Sequence, residues 1–230
     1  MVTGQITNAG RSADRGASTR AALLAAAREV FTREGYAQAA ITDIVALAGA
    51  SVGSLYHHFA GKADLYLALY EQLDEARESR TRAAVRELRE SGVADPMRLL
   101  LAGARGYLEV CIEQRAAAAM FTRGDGPPGF ELMWRRAVLD WVTRNTEFFA
   151  RSGEPLDEAA AIVMTGALML AVTEVSLAAD GDRARQLADS VLEVLARLGT
   201  PQQLTGVSGL PGGQRTSRVP TATTPRHGRT

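Results

Sequence analysis

Adjacent His57 and His58, together with His227, are the three histidines of the chain, and Cys111 is its one cysteine. Neighbouring residues on a helix diverge by about 100°, so the histidine pair cannot readily share a metal ion. One thiol rules out an internal disulfide and is too few for a zinc site. Other catalytic patterns fail as well: there is no HExxH pair and no P-loop. The run GDGPPG at 124–129 has the glycine spacing of a dinucleotide fold, but no strand precedes it and Pro127 and Pro128 remove N–H groups that a phosphate would need. It reads as a turn. No catalytic residue, metal or cofactor is expected, and a helical enzyme is set aside.

The chemistry that remains is recognition. Tyr56, His57 and His58 are short-reach donors suited to phosphate oxygens, which position a protein on a duplex. Val52 offers an apolar contact to a thymine methyl. Gly53 costs about 1 kcal/mol relative to Ala inside a helix, and its presence suggests close backbone approach to a partner. Lys62 is the only lysine among 26 basic side chains, and it opens a helix whose dipole favours an anion.

The elements that must hold these residues follow from periodicity. Leu24, Ala27 and Phe31 mark a first helix from Ser18, a candidate N-cap, to a stop at Gly35. Ile41, Ile44, Val45 and Ala48 lie on one face of a second helix, which Gly49 ends. Ser51 can then cap a third helix through about Phe59, giving two short helices joined by a three-residue turn that contains glycine. Leu55 and Phe59, at i and i+4, point into a three-helix core. Val52, Gly53, Ser54, Tyr56, His57 and His58 are left to face outward, as the second helix of a helix-turn-helix faces the major groove.

The stretch AGASVGSLYHHFAGKADL, residues 48–65, resembles the DNA-binding signature of the TetR family through Gly49, Ser51, Gly53, Leu55, Tyr56, His57, His58, Phe59 and Lys62. The resemblance covers roughly residues 18–70. It implies a ligand-responsive, sequence-specific transcription regulator, a repressor by the family's habit, released from a palindromic double-stranded DNA operator by a small-molecule effector. It also implies DNA contacts at Tyr56, His57 and His58, a phosphate held by Lys62, and a further contact from Thr42. Two positions depart from the family pattern: Ala40 replaces the usual capping Thr of the second helix, and Val52 replaces a residue that is often polar.

Beyond Gly61 the pattern is helical in long pieces, near 62–90, 96–114, 116–122, 128–151, 156–179 and 182–198, with no alternating segment that reads as a strand. The expected fold is all-α with about nine helices: a flexible arm at 1–17, a helix-turn-helix domain at 18–64, a regulatory ligand-binding and dimerisation domain at 65–199, and a disordered tail at 200–230. The tail is rich in Pro, Gly, Ser and Thr and has arginines but no acid.

The most apolar stretch, Ala159–Ala171, is too short to span a bilayer, and the opening residues lack the apolar core of a secretory signal, so no membrane partner and a cytoplasmic location are expected. The formal net charge is +0, with basic residues leaning toward the N-terminus, at Arg11, Arg15 and Arg20.

Helix 156–179 is apolar nearly all round and must be covered on every side, and the next helix carries Leu187, Val191, Val194, Leu195 and Leu198. By resemblance these two helices form a homodimer, which suits two-fold DNA half-sites. Trp134, Val138, Trp141 and Phe148 share one face of helix 128–151. Trp134, Val138 and Trp141 are the candidate pocket wall, with Tyr107, Cys111, Met120, Phe121, Met164 and Leu168 facing them. Binding to any DNA with no preferred operator would mark an architectural DNA-binding protein instead.

Overall fold

The structure, a computed structural model, describes residues 6–198, with side chains from residue 15 onward. Its order is α1 (Ile6–Glu34), α2 (Ile41–Leu47), α3 (Val52–His58), α4 (Lys62–Glu90), α5 (Pro96–Glu113), α6 (Arg115–Thr122), α7 (Phe130–Arg151), α8 (Glu158–Leu177) and α9 (Gly181–Leu198). Among the described residues there are nine helices and no strand, the all-α fold expected from periodicity.

The first helix begins at Ile6 rather than at Ser18, so Ser18 is an exposed mid-helix residue and not a cap, and residues 6–17 are helix rather than arm. Extending a nucleated helix costs little, and Ala9, Ala13 and Ala17 are strong helix formers, whereas the polar composition of the stretch hides it from a periodicity reading. The expected tail at 200–230 lies outside the described residues.

Helices α1, α2 and α3 close around Leu23, Val30, Phe31, Ile44 and Leu55, each fully buried, with Phe59 against them. Ser51 caps α3 by accepting a hydrogen bond from the Ser54 amide at 3.0 Å. Ala40 offers α2 no side-chain cap; the α2 amides of Asp43 and Ile44 turn back to the Ala40 carbonyl at 3.2 and 3.3 Å. Gly49 has φ +61°, the left-handed value that the turn between α2 and α3 requires and that a side chain would resist.

Helix α4 starts in this three-helix unit and runs on as the long wall of the second one, packing most extensively on α5. Asp95 caps α5, with Pro96 at its first position, and Asp157 caps α8 through the Ala159 and Ala160 amides. Helix α8 packs against α5, α6, α7 and α9. Over its 20 residues it is long and apolar enough to cross a membrane by length and composition, which extends the shorter apolar stretch expected from sequence, and half of its apolar window is buried within the protein. Its other side leaves Ile162, Val163, Leu170 and Leu177 exposed, the last three at 58%, 63% and 51%. On α9 the apolar stripe divides. Leu195 is only 3% exposed and belongs to the protomer's own core, whereas Val194 and Leu198 face outward.

Candidate nucleic-acid interface and ligand cavity

Burial sorts the residues of α3 without ambiguity. Leu55 and Phe59 point inward, and Val52 (42% exposed), Gly53, Tyr56 (56% exposed) and His57 point outward, with Ser54 and His58 at the margin. Thr42 is exposed on α2 and Ser51 on the turn, so all these candidate DNA contacts except the two marginal ones stand on open surface. Gly53 does not have a positive φ, and a Cβ there would meet only Ser51 Oγ at 3.9 Å. Neither conformation nor internal packing therefore asks for glycine at this position. The His57 and His58 rings meet edge to face at 5.0 Å, and no group of three potential metal ligands exists among the described residues.

Lys62, to which the resemblance gives a phosphate contact, is engaged within the protein itself. Its ammonium donates to the carbonyls of Tyr36, Ala37 and Ala39 at 2.7, 3.2 and 3.1 Å and stands 4.5 Å from the centre of the Tyr36 ring. An ammonium has three hydrogens, and all three are engaged. Lys62 bolts the start of α4 to the turn between α1 and α2. The same turn has a second grip: the Ala37 amide donates to both carboxylate oxygens of Asp125 at 3.1 and 3.3 Å. Gly35 has φ +80°, the left-handed value that favours glycine, and a Cβ there would also press on that carboxylate. Tyr66 of α4 ties the arrangement inward, its hydroxyl lying 3.3 Å from the carbonyls of both Met120 and Asp125. Burial, with the Asp125 charge nearby, holds the Tyr66 hydroxyl far above its ordinary pKa, so it stays a donor.

A cavity of about 310 Å³ lies between α4, α5 and α7. Four of the residues expected in a pocket line it: Tyr107, Trp134, Val138 and Trp141. Phe121, with Trp134 again, lines a second cavity of about 420 Å³ under the 122–130 loop. Cys111, Met120, Met164 and Leu168 do not line the first cavity; they are buried in packed core at 0%, 3%, 6% and 4% exposure. Spacing tells which residues share a helix face but not how each helix is rotated against its neighbours, and Cys111, one turn after Tyr107, falls beside Arg77 instead. Burial raises the pKa of its thiol, so Cys111 sits there as a neutral core residue.

The polar half of the cavity wall was not foreseen. Tyr70, Asp74, Glu78 and Thr81 form a line down α4 at intervals of one helical turn, a spacing that could have signalled a face turned toward polar contents. Arg77, on the adjoining face, is 3% exposed; its guanidinium stacks 5.1 Å from the Tyr107 ring and its Nε has no hydrogen-bond partner among the described residues.

The sequence profile of bacterial regulatory proteins of the tetR family matches residues 23–69, the three-helix unit and the start of α4. The HTH-type transcriptional regulator TtgR of Pseudomonas putida is 36% identical over 77 residues, 34% of this chain and 37% of that protein. The HTH-type transcriptional repressor AcnR of Corynebacterium efficiens is 30% identical over 133 residues, 57% of this chain and 65% of that protein. The match thus spans less than two thirds of either relative. A solved TetR-family transcriptional regulator from Pectobacterium atrosepticum is 28% identical with a TM-score of 0.54, over 80% of this chain and 96% of that one. Helix-turn-helix, all-helical body and sequence all point to the TetR family of bacterial regulatory proteins, whose profile covers residues 23–69 of this chain.

Proposed function

We propose that this chain is a DNA-binding transcription regulator, not an enzyme, acting in the cytoplasm as a homodimeric repressor that a small molecule releases from a palindromic operator. The observation that carries the reading is α3. Its inward side is filled by Leu55 and Phe59, and its outward side presents Val52, Gly53, Tyr56 and His57 to whatever lies beyond the protein. A glycine that neither its own backbone nor its neighbours require makes sense where a bulky partner comes close, as the edges and phosphates of a major groove do.

The exposed apolar stripe of α8, continued by Val194 and Leu198 on α9, supports a homodimer, since two-fold pairing covers the same patch on both subunits. Release by a ligand requires that the occupied state fit the half-site spacing less well than the empty one. Helix α4 supports such a link because it walls the cavity with Tyr70, Asp74 and Glu78 and holds the DNA-binding unit with Lys62.

The test is selection of bound duplexes from a random pool. The reading requires a two-fold symmetric site whose half-sites lie on one face of the duplex, about 34–36 Å apart or a multiple of that. Recovery of no preferred sequence would leave an architectural role instead.

A further inference from the structure

Direct pairing around the 310 Å³ cavity leaves one carboxylate without a partner. Four ionisable side chains other than tyrosine line it: Asp74, Glu78, Arg82 and Arg144. Glu78 takes both arginines, pairing with Arg82 at 2.8 Å and, more loosely, with Arg144 at 3.9 Å. Asp74 has no hydrogen bond and no ion pair within 4.0 Å among the described residues, although it is half-buried. Arg77, three residues on, attracts it only at a distance, for that guanidinium lies on the Tyr107 ring and does not line the cavity. Burial, with the Glu78 charge adding to it, raises the pKa of this carboxyl against the pull of Arg77 and Arg144.

The rest of the wall is aromatic and apolar. Tyr107 and Trp141 have ring centres 5.4 Å apart, and Tyr70, Trp134, Val138 and Met169 complete it. Aromatic faces attract cations and stack on flat apolar bodies. One face of Tyr107 is already occupied by Arg77, while no cation stands over Trp134 or Trp141 among the described residues.

We infer that this cavity takes an organic cation with a compact aromatic or aliphatic body, its charge set against Asp74 and its body between Trp134 and Trp141. The cavity volume is at the lower end of the range of about 300–1,000 Å³ usual for small-molecule sites, which limits the ligand to a small one. This inference rests on the proposed role of the cavity as the effector site, and it adds the ligand's charge and the residue that reads it.

Trp134 and Trp141 are the only tryptophans in the chain, so intrinsic fluorescence reports on this cavity directly. The probes are three compounds of one shape: benzyltrimethylammonium, its neutral isostere neopentylbenzene, and benzylsulfonate. The ammonium should change tryptophan emission saturably and bind about tenfold or more tighter than the other two, the discrimination expected of Coulomb attraction to one carboxylate together with cation–π contact in a half-dry site. In Asp74→Asn that preference should fall to near parity while neopentylbenzene binds as before, which also shows that the variant's cavity is intact. Equal or tighter binding of the neutral compound or the sulfonate, an unchanged preference in Asp74→Asn, or no saturable response to any of the three would overturn the inference. Adding DNA separates it from the effector reading: an ammonium that needs Asp74 but leaves the selected operator bound upholds the cation site and removes the effector role.

Discussion

The two halves of this molecule handle their polar groups in opposite ways. In the DNA-binding half they are mostly satisfied internally: Lys62 donates to three carbonyls, Ser51 caps α3, and the core around Leu55 and Ile44 is apolar, with Thr32 Oγ1 the buried side-chain atom left without a hydrogen-bond partner there among the described residues. What that half offers to a partner is on its surface. The regulatory half keeps unmet needs inside, a half-buried Asp74 without an ion pair and a buried Arg77 with an orphan Nε, while its outer face on α8 and α9 is apolar. A unit whose buried charges are all engaged can hold one shape against DNA, whereas a unit with an unpaired carboxylate beside a cavity has reason to accept a ligand.

The sharpest way to break this contrast is at the outer face of the regulatory half, through two substitutions that look alike in sequence. Leu170→Arg places a charge on the exposed stripe and should leave a folded monomer, with operator affinity reduced by about a hundredfold or more because two linked recognition helices become one. Leu195→Arg buries its charge in the protomer and should cost more than about 4 kcal/mol, enough to unfold the domain. Sedimentation and thermal melting tell them apart. A folded, dimeric Leu170→Arg would remove α8 from the interface.

A smaller effect is expected at Lys62, and it tests whether the DNA-binding half is closed internally. Lys62→Met keeps the stem but removes the three donors to Tyr36, Ala37 and Ala39, at a cost of about 1.5–3 kcal/mol in stability. The slope of log affinity against log salt should stay as it is. A slope shallower by about one would mean that the ammonium leaves its carbonyls for a phosphate on binding.

The contrast also explains what could be read in advance. The helix-turn-helix was legible because its determinants are local: the i, i+4 pair Leu55 and Phe59, the Ser51 cap, and the positive φ at Gly49 all lie within one short segment. The cavity was half legible, through Trp134, Val138 and Trp141 on one face of α7. Its other wall depends on how α4 and α5 are rotated, which placed Tyr107 in the cavity and Cys111 in the core, and no periodicity encodes that. Lys62 was located by the sequence, but its internal partners at 36, 37 and 39 were not, since the fold brings them to it.

Gly53→Ala gives a smaller but opposed pair of changes. The protein should gain up to about 1 kcal/mol, because alanine is the better helix residue and its Cβ has room. DNA affinity should fall if the bare backbone is what approaches the duplex. Melting temperature and affinity moving in opposite directions would support that use of the glycine; both rising together would make position 53 an ordinary turn of helix.

The smallest expected effect concerns the link between the halves. Asp125 accepts the Ala37 amide from a loop that also borders the second cavity, and Arg123 reaches from the same loop to the Thr32 carbonyl at 3.4 Å. A shift of this loop would therefore reach the α1–α2 turn directly, without passing through α4. Asp125→Ala removes one solvent-exposed acceptor and should cost only about 0.5–1.5 kcal/mol, with the fold and dimerisation preserved. The Ala37 amide should exchange with solvent about two- to tenfold faster in that variant, since its opening is opposed by that much less. The informative comparison is with the Lys62 variant. If α4 alone carries the connection, Lys62→Met should loosen the turn and Asp125→Ala should leave amide exchange at 37 unchanged. If the loop carries part of it, either substitution should speed exchange there, and the pair together should do so by more than either alone, because the two grips hold one turn through different backbone groups.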